Sequence, residues 1–178
     1  ILAQTEKLTD YVNPFVGTDG YGNVYPGAQI PFGGIQMSPD TDSRFYDAAS
    51  GYKYNHLTLM GFSLTHLSGT GIPDLGDFLF IPGTGEMKLE PGTHEDPDKG
   101  YRSRYSHDKE WASPNYYAVE LADYGVKAEM TSGVRSGMFR FTYPESDSAF
   151  IMIDMNHTLW QSCEWSNLRM ISDSTITG

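Results

Sequence analysis

Between residues 116 and 155 the side chains alternate with a period of two, and this pattern constrains the fold more than any other feature. In YYAVEL (116–121), Tyr117, Val119 and Leu121 fall on one face, opposite Tyr116, Ala118 and Glu120. In VKAEMT (126–131), Val126, Ala128 and Met130 oppose Lys127, Glu129 and Thr131. In SGMFRFTY (136–143), Phe139, Phe141 and Tyr143 oppose Met138, Arg140 and Thr142. Successive strand residues point to opposite faces, so these runs predict half-buried strands of antiparallel sheets. SAFIMIDM (148–155) is apolar on both faces and predicts a central strand, and DFLFIP (77–82) is similar.

The segments between these runs carry turn chemistry: PGTGE, EPGTHEDPDKG, DYGV and YPESDS. Aromatic residues, which favour strands, make up 13% of the chain, and 19 Gly with 10 Pro supply the turns. No segment has the spacing of an amphipathic helix. Short strands at close intervals predict an all-β fold, an antiparallel β-sandwich. With 178 residues, no internal repeat and no linker, one domain is expected.

Lys and Arg number 12 against 23 Asp and Glu, a net charge of −11. Phosphate binding needs clustered cations, so nucleic acid is excluded as a partner and an anionic membrane surface is disfavoured. The Tyr and Trp complement suits stacking on sugar rings and equally suits filling a β core. Cys163 is the one cysteine and makes no internal disulfide. No apolar run approaches the roughly 18 residues of a transmembrane segment. The opening ILAQTEKLTD resembles the end of a signal peptide. Residues 1–9 are therefore expected to be a signal-peptide remnant or a disordered N-terminus, and 10–178 the folded domain.

The first 75 residues are dense in Gly and Pro and poor in alternation. Ordering such a segment costs about 1–2 kcal/mol per residue in backbone entropy, and long ordered loops of this kind are more often functional. Within them HLSGTG (66–71) places an imidazole and two hydroxyls among glycines. Carboxylates cluster at Asp40/Asp42, Asp74/Asp77 and Glu95/Asp96/Asp98. A glycosidase needs two carboxylates at a set separation, but EDPDKG reads first as a solvated turn. His56, His66, His94, His107 and His157 lack zinc spacing, DPDKGY fails the calcium-loop pattern, and SGTG is not a nucleophile elbow. No self-sufficient catalytic set and no metal site is present in the sequence.

Read in order, YVNPFVGTDGYGNVYPGAQIPFGGIQMSPDT (11–41), GYKY (51–54), GFSLTHLSGTG (61–71) and DLGDFLFIP (74–82) resemble the start of glycoside hydrolase family 92. The resemblance is most specific over 11–82. It implies an N-terminal β-sandwich followed by an (α/α)6-barrel in a bacterial, calcium-dependent exo-α-mannosidase. Such an enzyme hydrolyses terminal α-mannosides with inversion. The general acid, general base and calcium ligands would lie in the barrel, so this chain would hold no catalytic residue, would end before its sandwich is complete and would be inactive alone. The resemblance also implies that Phe15 and the Gly17–Asn23 loop, including Gly17 and Thr18, form one wall of the mannose site. Ser68, Gly69, Thr70 and Gly71 would form another, with Ile72 at the outer edge. His66 would either bond a sugar hydroxyl or orient the turn. The implied partners are mannose-containing glycans and the C-terminal barrel, and the implied location is the periplasm or cell surface. Two other readings remain open, a stand-alone carbohydrate-binding sandwich and a structural β-domain.

Overall fold

The computed structural model describes residues 6–44, 46–69 and 71–178. In chain order the strands are β1 (Ser38–Asp40), β2 (Thr58–Leu59), β3 (Gly61–Ser63), β4 (Leu79–Thr84), β5 (Ser103–Arg104) and β6 (Glu110–Ser113), followed by β7 (Tyr116–Leu121), β8 (Val126–Ser132), β9 (Gly137–Thr142), β10 (Ala149–Asp154), β11 (Arg169–Ser172) and β12 (Thr175–Thr177). Helical structure among the described residues is limited to single 3-10 turns, and no helix is long and apolar enough to cross a membrane.

Two four-stranded antiparallel sheets carry the fold, in the orders β1-β3-β4-β10 and β6-β7-β8-β9. The second sheet follows the period-2 reading residue by residue. Tyr117 faces Met130, Val119 faces Ala128 and Leu121 faces Val126 across β7 and β8, and all six are buried. Burying each large apolar side chain of this set contributes about 1.5–3 kcal/mol, which is why the register holds against a one-residue slip. On the opposite face Glu129 accepts hydrogen bonds from Arg140 and from the Tyr116 hydroxyl.

The sheets meet through aromatic rings. Phe139 of β9 lies 6.3 Å from Phe62 of β3 and 5.2 Å from Phe80 of β4, measured between ring centroids. Met37, Tyr52, Leu59 and Tyr105 join this core from the long N-terminal segment and the β2–β5 pair. A smaller cluster of Met60, Leu79, Ile81 and Tyr101, with Met152 against it, covers the other face of the first sheet. The all-β, two-layer expectation is realised.

Strand β10 differs from its expectation. It pairs with β4 over six residues but stands at the edge of its sheet rather than at the centre. Ile153 lies opposite Phe80 and so shares the face turned towards Phe139, yet Ile151 on that face is 52% exposed. Apolarity on both faces predicts two covered faces, and the edge position leaves one of them partly open. Among the described residues, β11 and β12 pair with each other and leave the outer side of β10 open.

Candidate functional site

Two loops converge beyond the end of the first sheet. The earlier one is closed by Val24 N–H donating to the Gly17 carbonyl at 3.3 Å, with Gly22 N–H donating to Asp19. Thr18 locks its entry: both its amide and its hydroxyl donate to the Phe15 carbonyl, at 3.1 and 2.8 Å. The Lys53 ammonium donates to the Gly20 carbonyl, and Tyr54 N–H to Thr18, so the GYKY segment braces the loop from beneath. The Tyr54 ring packs edge-on to Phe15 at 5.7 Å and stacks flat on His107 at 3.9 Å.

The later loop leaves β3 and is closed at its base by an antiparallel bridge between His66 and Leu75, beside which Gly76 N–H donates to Thr65. Gly69 N–H donates to the Asn23 carbonyl at 2.6 Å, which joins the two loops directly. Gly69 has φ +74°, a left-handed conformation that glycine adopts without steric cost, and a Cβ added there would point into open space. Ser68 and Gly69 are exposed, and Ile72 is 61% exposed at the outer edge. Asn23 also holds a positive φ, and its Oδ1 is buried without a hydrogen-bond partner among the described residues.

Behind this rim lies a buried polar cluster centred on Asp40 of β1. Its carboxylate accepts from Ser63 Oγ at 2.6 Å, His66 Nε2 at 2.8 Å and His157 Nε2 at 2.8 Å. His66 Nδ1 lies 2.6 Å from the Gln36 carbonyl, so the ring is clamped between two acceptors. Burial alone would raise the Asp40 pKa, but the charges and hydrogen bonds of His66 and His157 outweigh it and hold the carboxyl well below the usual range. Gly51 packs against this carboxylate so closely that an added Cβ would sit 2.1 Å from Oδ1.

The structure therefore brings Phe15, Gly17, Ser68, Gly69 and Gly71 into one neighbourhood, while Thr70 lies outside the described residues. Thr18 and His66 are buried at 2% and 3% exposure, and their polar groups serve the loops themselves. Of the paired carboxylates, Asp40 is committed to two histidines and Asp42 to His94 Nε2 at 3.1 Å, whereas Asp74 and Asp77 are exposed. Among the described residues no group of three or more His, Cys, Asp or Glu is placed to hold a metal ion. Sequence reasoning missed His157 and Ser63. Nothing in the sequence pairs positions 40 and 157, because β1 is only Ser38–Asp40 and carries no apolar pattern that marks Asp40 as buried.

The two loops form an open rim, whereas the larger clefts are elsewhere; one of about 450 Å³ is lined by Arg44, Tyr101, Asp154, His157 and Trp160. A rim of this kind can contact one side of a ligand.

Residues 11–178 match the model of the glycosyl hydrolase family 92 N-terminal domain. A family GH92 alpha-mannosidase from Bacteroides thetaiotaomicron is 98% identical, with a TM-score of 0.95 over 96% of this chain and 23% of that one. A GH92 family glycosyl hydrolase, ccman5, is 31% identical with a TM-score of 0.72, over 84% of this chain and 20% of that one. An uncharacterized secreted glycosidase from Arthroderma benhamiae is 29% identical over 83% of this chain and 19% of its own length. The chain thus spans about a fifth to a quarter of the relatives it matches. It belongs to glycoside hydrolase family 92, as the N-terminal domain.

Proposed function

We propose that this chain is the substrate-shaping N-terminal domain of an exported exo-α-mannosidase that removes terminal α-mannosyl residues from glycans with inversion. The observation that carries this reading is the direct joining of the Gly17–Asn23 loop to the exposed Ser68–Gly69 turn. Together they offer backbone donors, a hydroxyl and a half-buried aromatic, Phe15, on one open wall. The family membership and the 98% identical α-mannosidase supply the reaction class. Phe15, Gly17, Ser68, Gly69, Thr70 and Gly71 line the mannose, Ile72 borders the next sugar, and Thr18 and His66 hold the backbone that does so.

Among the described residues the carboxylates do not fit calcium, because the buried Asp40 and Asp42 are filled by donor groups and no group of three or more clusters as a ligand set. Calcium, the general acid and the general base belong to a C-terminal barrel of the longer protein. The domain proper runs over 10–178. The full-length protein should hydrolyse an aryl α-mannoside with loss of activity on chelation, while this chain alone should be inactive. Chelator-sensitive hydrolysis by the isolated chain would overturn the division of labour. Mannose binding by the isolated chain, with no hydrolysis by the full-length protein, would favour a stand-alone carbohydrate-binding module instead.

A further inference from the structure

We propose that Asp40 is a positioning residue that sets the placement of the exposed Ser68 and Gly69 through His66, an inference that rests on these two residues lining the mannose site. The carboxylate is completely buried and collects three donors from two segments remote in sequence: Ser63 at the end of β3 with His66 at the base of the loop, and His157 after β10. The same His66 forms the bridge with Leu75 that closes the loop base. Leu159 N–H donates to the Leu75 carbonyl, so the segment carrying His157 grips the opposite side of that base. Both ends of the excursion over 67–74 are therefore referenced to one carboxylate.

A buried carboxylate is costly unless its lone pairs are filled, and an apolar side chain would fill the same space without that cost. What the carboxylate adds is direction. Each donor is held at a fixed angle as well as a fixed distance, which fixes the orientation of the His66 ring and of the backbone leaving it. The structure assigns to this cluster the role of a rigid reference for Ser68 and Gly69, which are exposed and joined to the neighbouring loop through the Asn23 contact.

Asparagine at position 40 keeps the size but offers one acceptor oxygen and turns an N–H₂ towards a donor. In the full-length protein, Asp40→Asn is expected to lower kcat/KM on an aryl α-mannoside by roughly 10- to 100-fold, mostly in kcat, as misplacement by about 1 Å does. Hydrogen exchange at the Gly69 and Gly76 amides should quicken in the same variant. Ser63→Ala, which removes one donor, should show a smaller change of the same kind. Glu129→Gln, a buried carboxylate in the other sheet, should lower melting temperature and leave both readouts unchanged. A folded Asp40→Asn protein with kcat/KM within about twofold of the parent and unaltered exchange overturns the proposal. If Asp40→Asn does not fold, Ser63→Ala with unaltered kinetics and exchange overturns it. If the parent proves inactive on mannosides, the functional reading fails, and exchange at the turn alone decides the role of Asp40.

Discussion

Gly69 and Gly51 both hold left-handed backbone, at φ +74° and +83°, yet they face opposite surroundings. A Cβ on Gly69 meets nothing within 4 Å, so Gly69→Val costs the protein only the backbone penalty, about 1–2 kcal/mol. Its branched side chain would project into the space where the sugar is proposed to approach. In the full-length enzyme kcat/KM should therefore fall roughly tenfold or more, an effect of about 1.4 kcal/mol or above on the barrier. Unchanged kcat/KM in the folded variant would reduce the turn to a connection. Gly51→Ala behaves differently, because its Cβ would lie 2.1 Å from Asp40 Oδ1 and 3.2 Å from the His66 ring. Neither group can retreat, since both are held by buried hydrogen bonds. Urea unfolding should show a loss of more than about 2 kcal/mol, from overpacking and strain together.

At the scale of strands, alternation was enough to place Tyr117, Val119, Leu121, Val126, Ala128 and Met130 in the core and to locate β7, β8, β9 and β10 within a residue or two. What alternation cannot encode is the neighbour. Apolarity on both faces of β10 predicts a central position although the strand stands at an edge, and the pairing of Asp40 with His157 across 117 residues has no local signature. The convergence of the Gly17–Asn23 loop with the 66–71 turn was likewise legible only through family resemblance. The outer face of the second sheet adds a pH dependence. Hydrogen bonds from Arg140 and then Tyr116 draw the Glu129 carboxyl down to about 2. A carboxyl whose folded pKa lies below its unfolded value of about 4.3 contributes stability above that value and loses it as pH falls towards 2. Between pH 5 and about 2, Glu129→Gln should thus flatten the decline in stability relative to the parent, followed by denaturant midpoints. Parallel pH curves for the two proteins would show that the Glu129 pairing carries no such linkage.

For the molecule as a whole, the uncovered half of the first sheet is the telling surface. Ile151 is 52% exposed on the face turned towards the sandwich interior, and Phe78, Leu168 and Ile176 are 40%, 46% and 47% exposed nearby. With Phe80, Ile153 and Met155, the last three line a groove of about 390 Å³ beside the open edge of β10. An apolar face next to an unpaired strand edge invites association with other chains. The matched α-mannosidase is about four times as long as this chain, and we propose that polypeptide of that kind covers this face in the full-length protein. The isolated chain and the full-length protein then give opposite responses to one substitution. In the isolated chain, Ile151→Lys should reduce association seen by light scattering and leave the melting temperature nearly unchanged, because the side chain already meets water. In the full-length protein, where the face is expected to be covered, the same change should destabilise the domain by about 2–5 kcal/mol, since it buries a charge and removes an apolar contact. If Ile151→Lys were neutral in the longer protein, the inner face of β10 would be solvent-exposed there too, and the two-faced apolarity of residues 148–155 would need another cause.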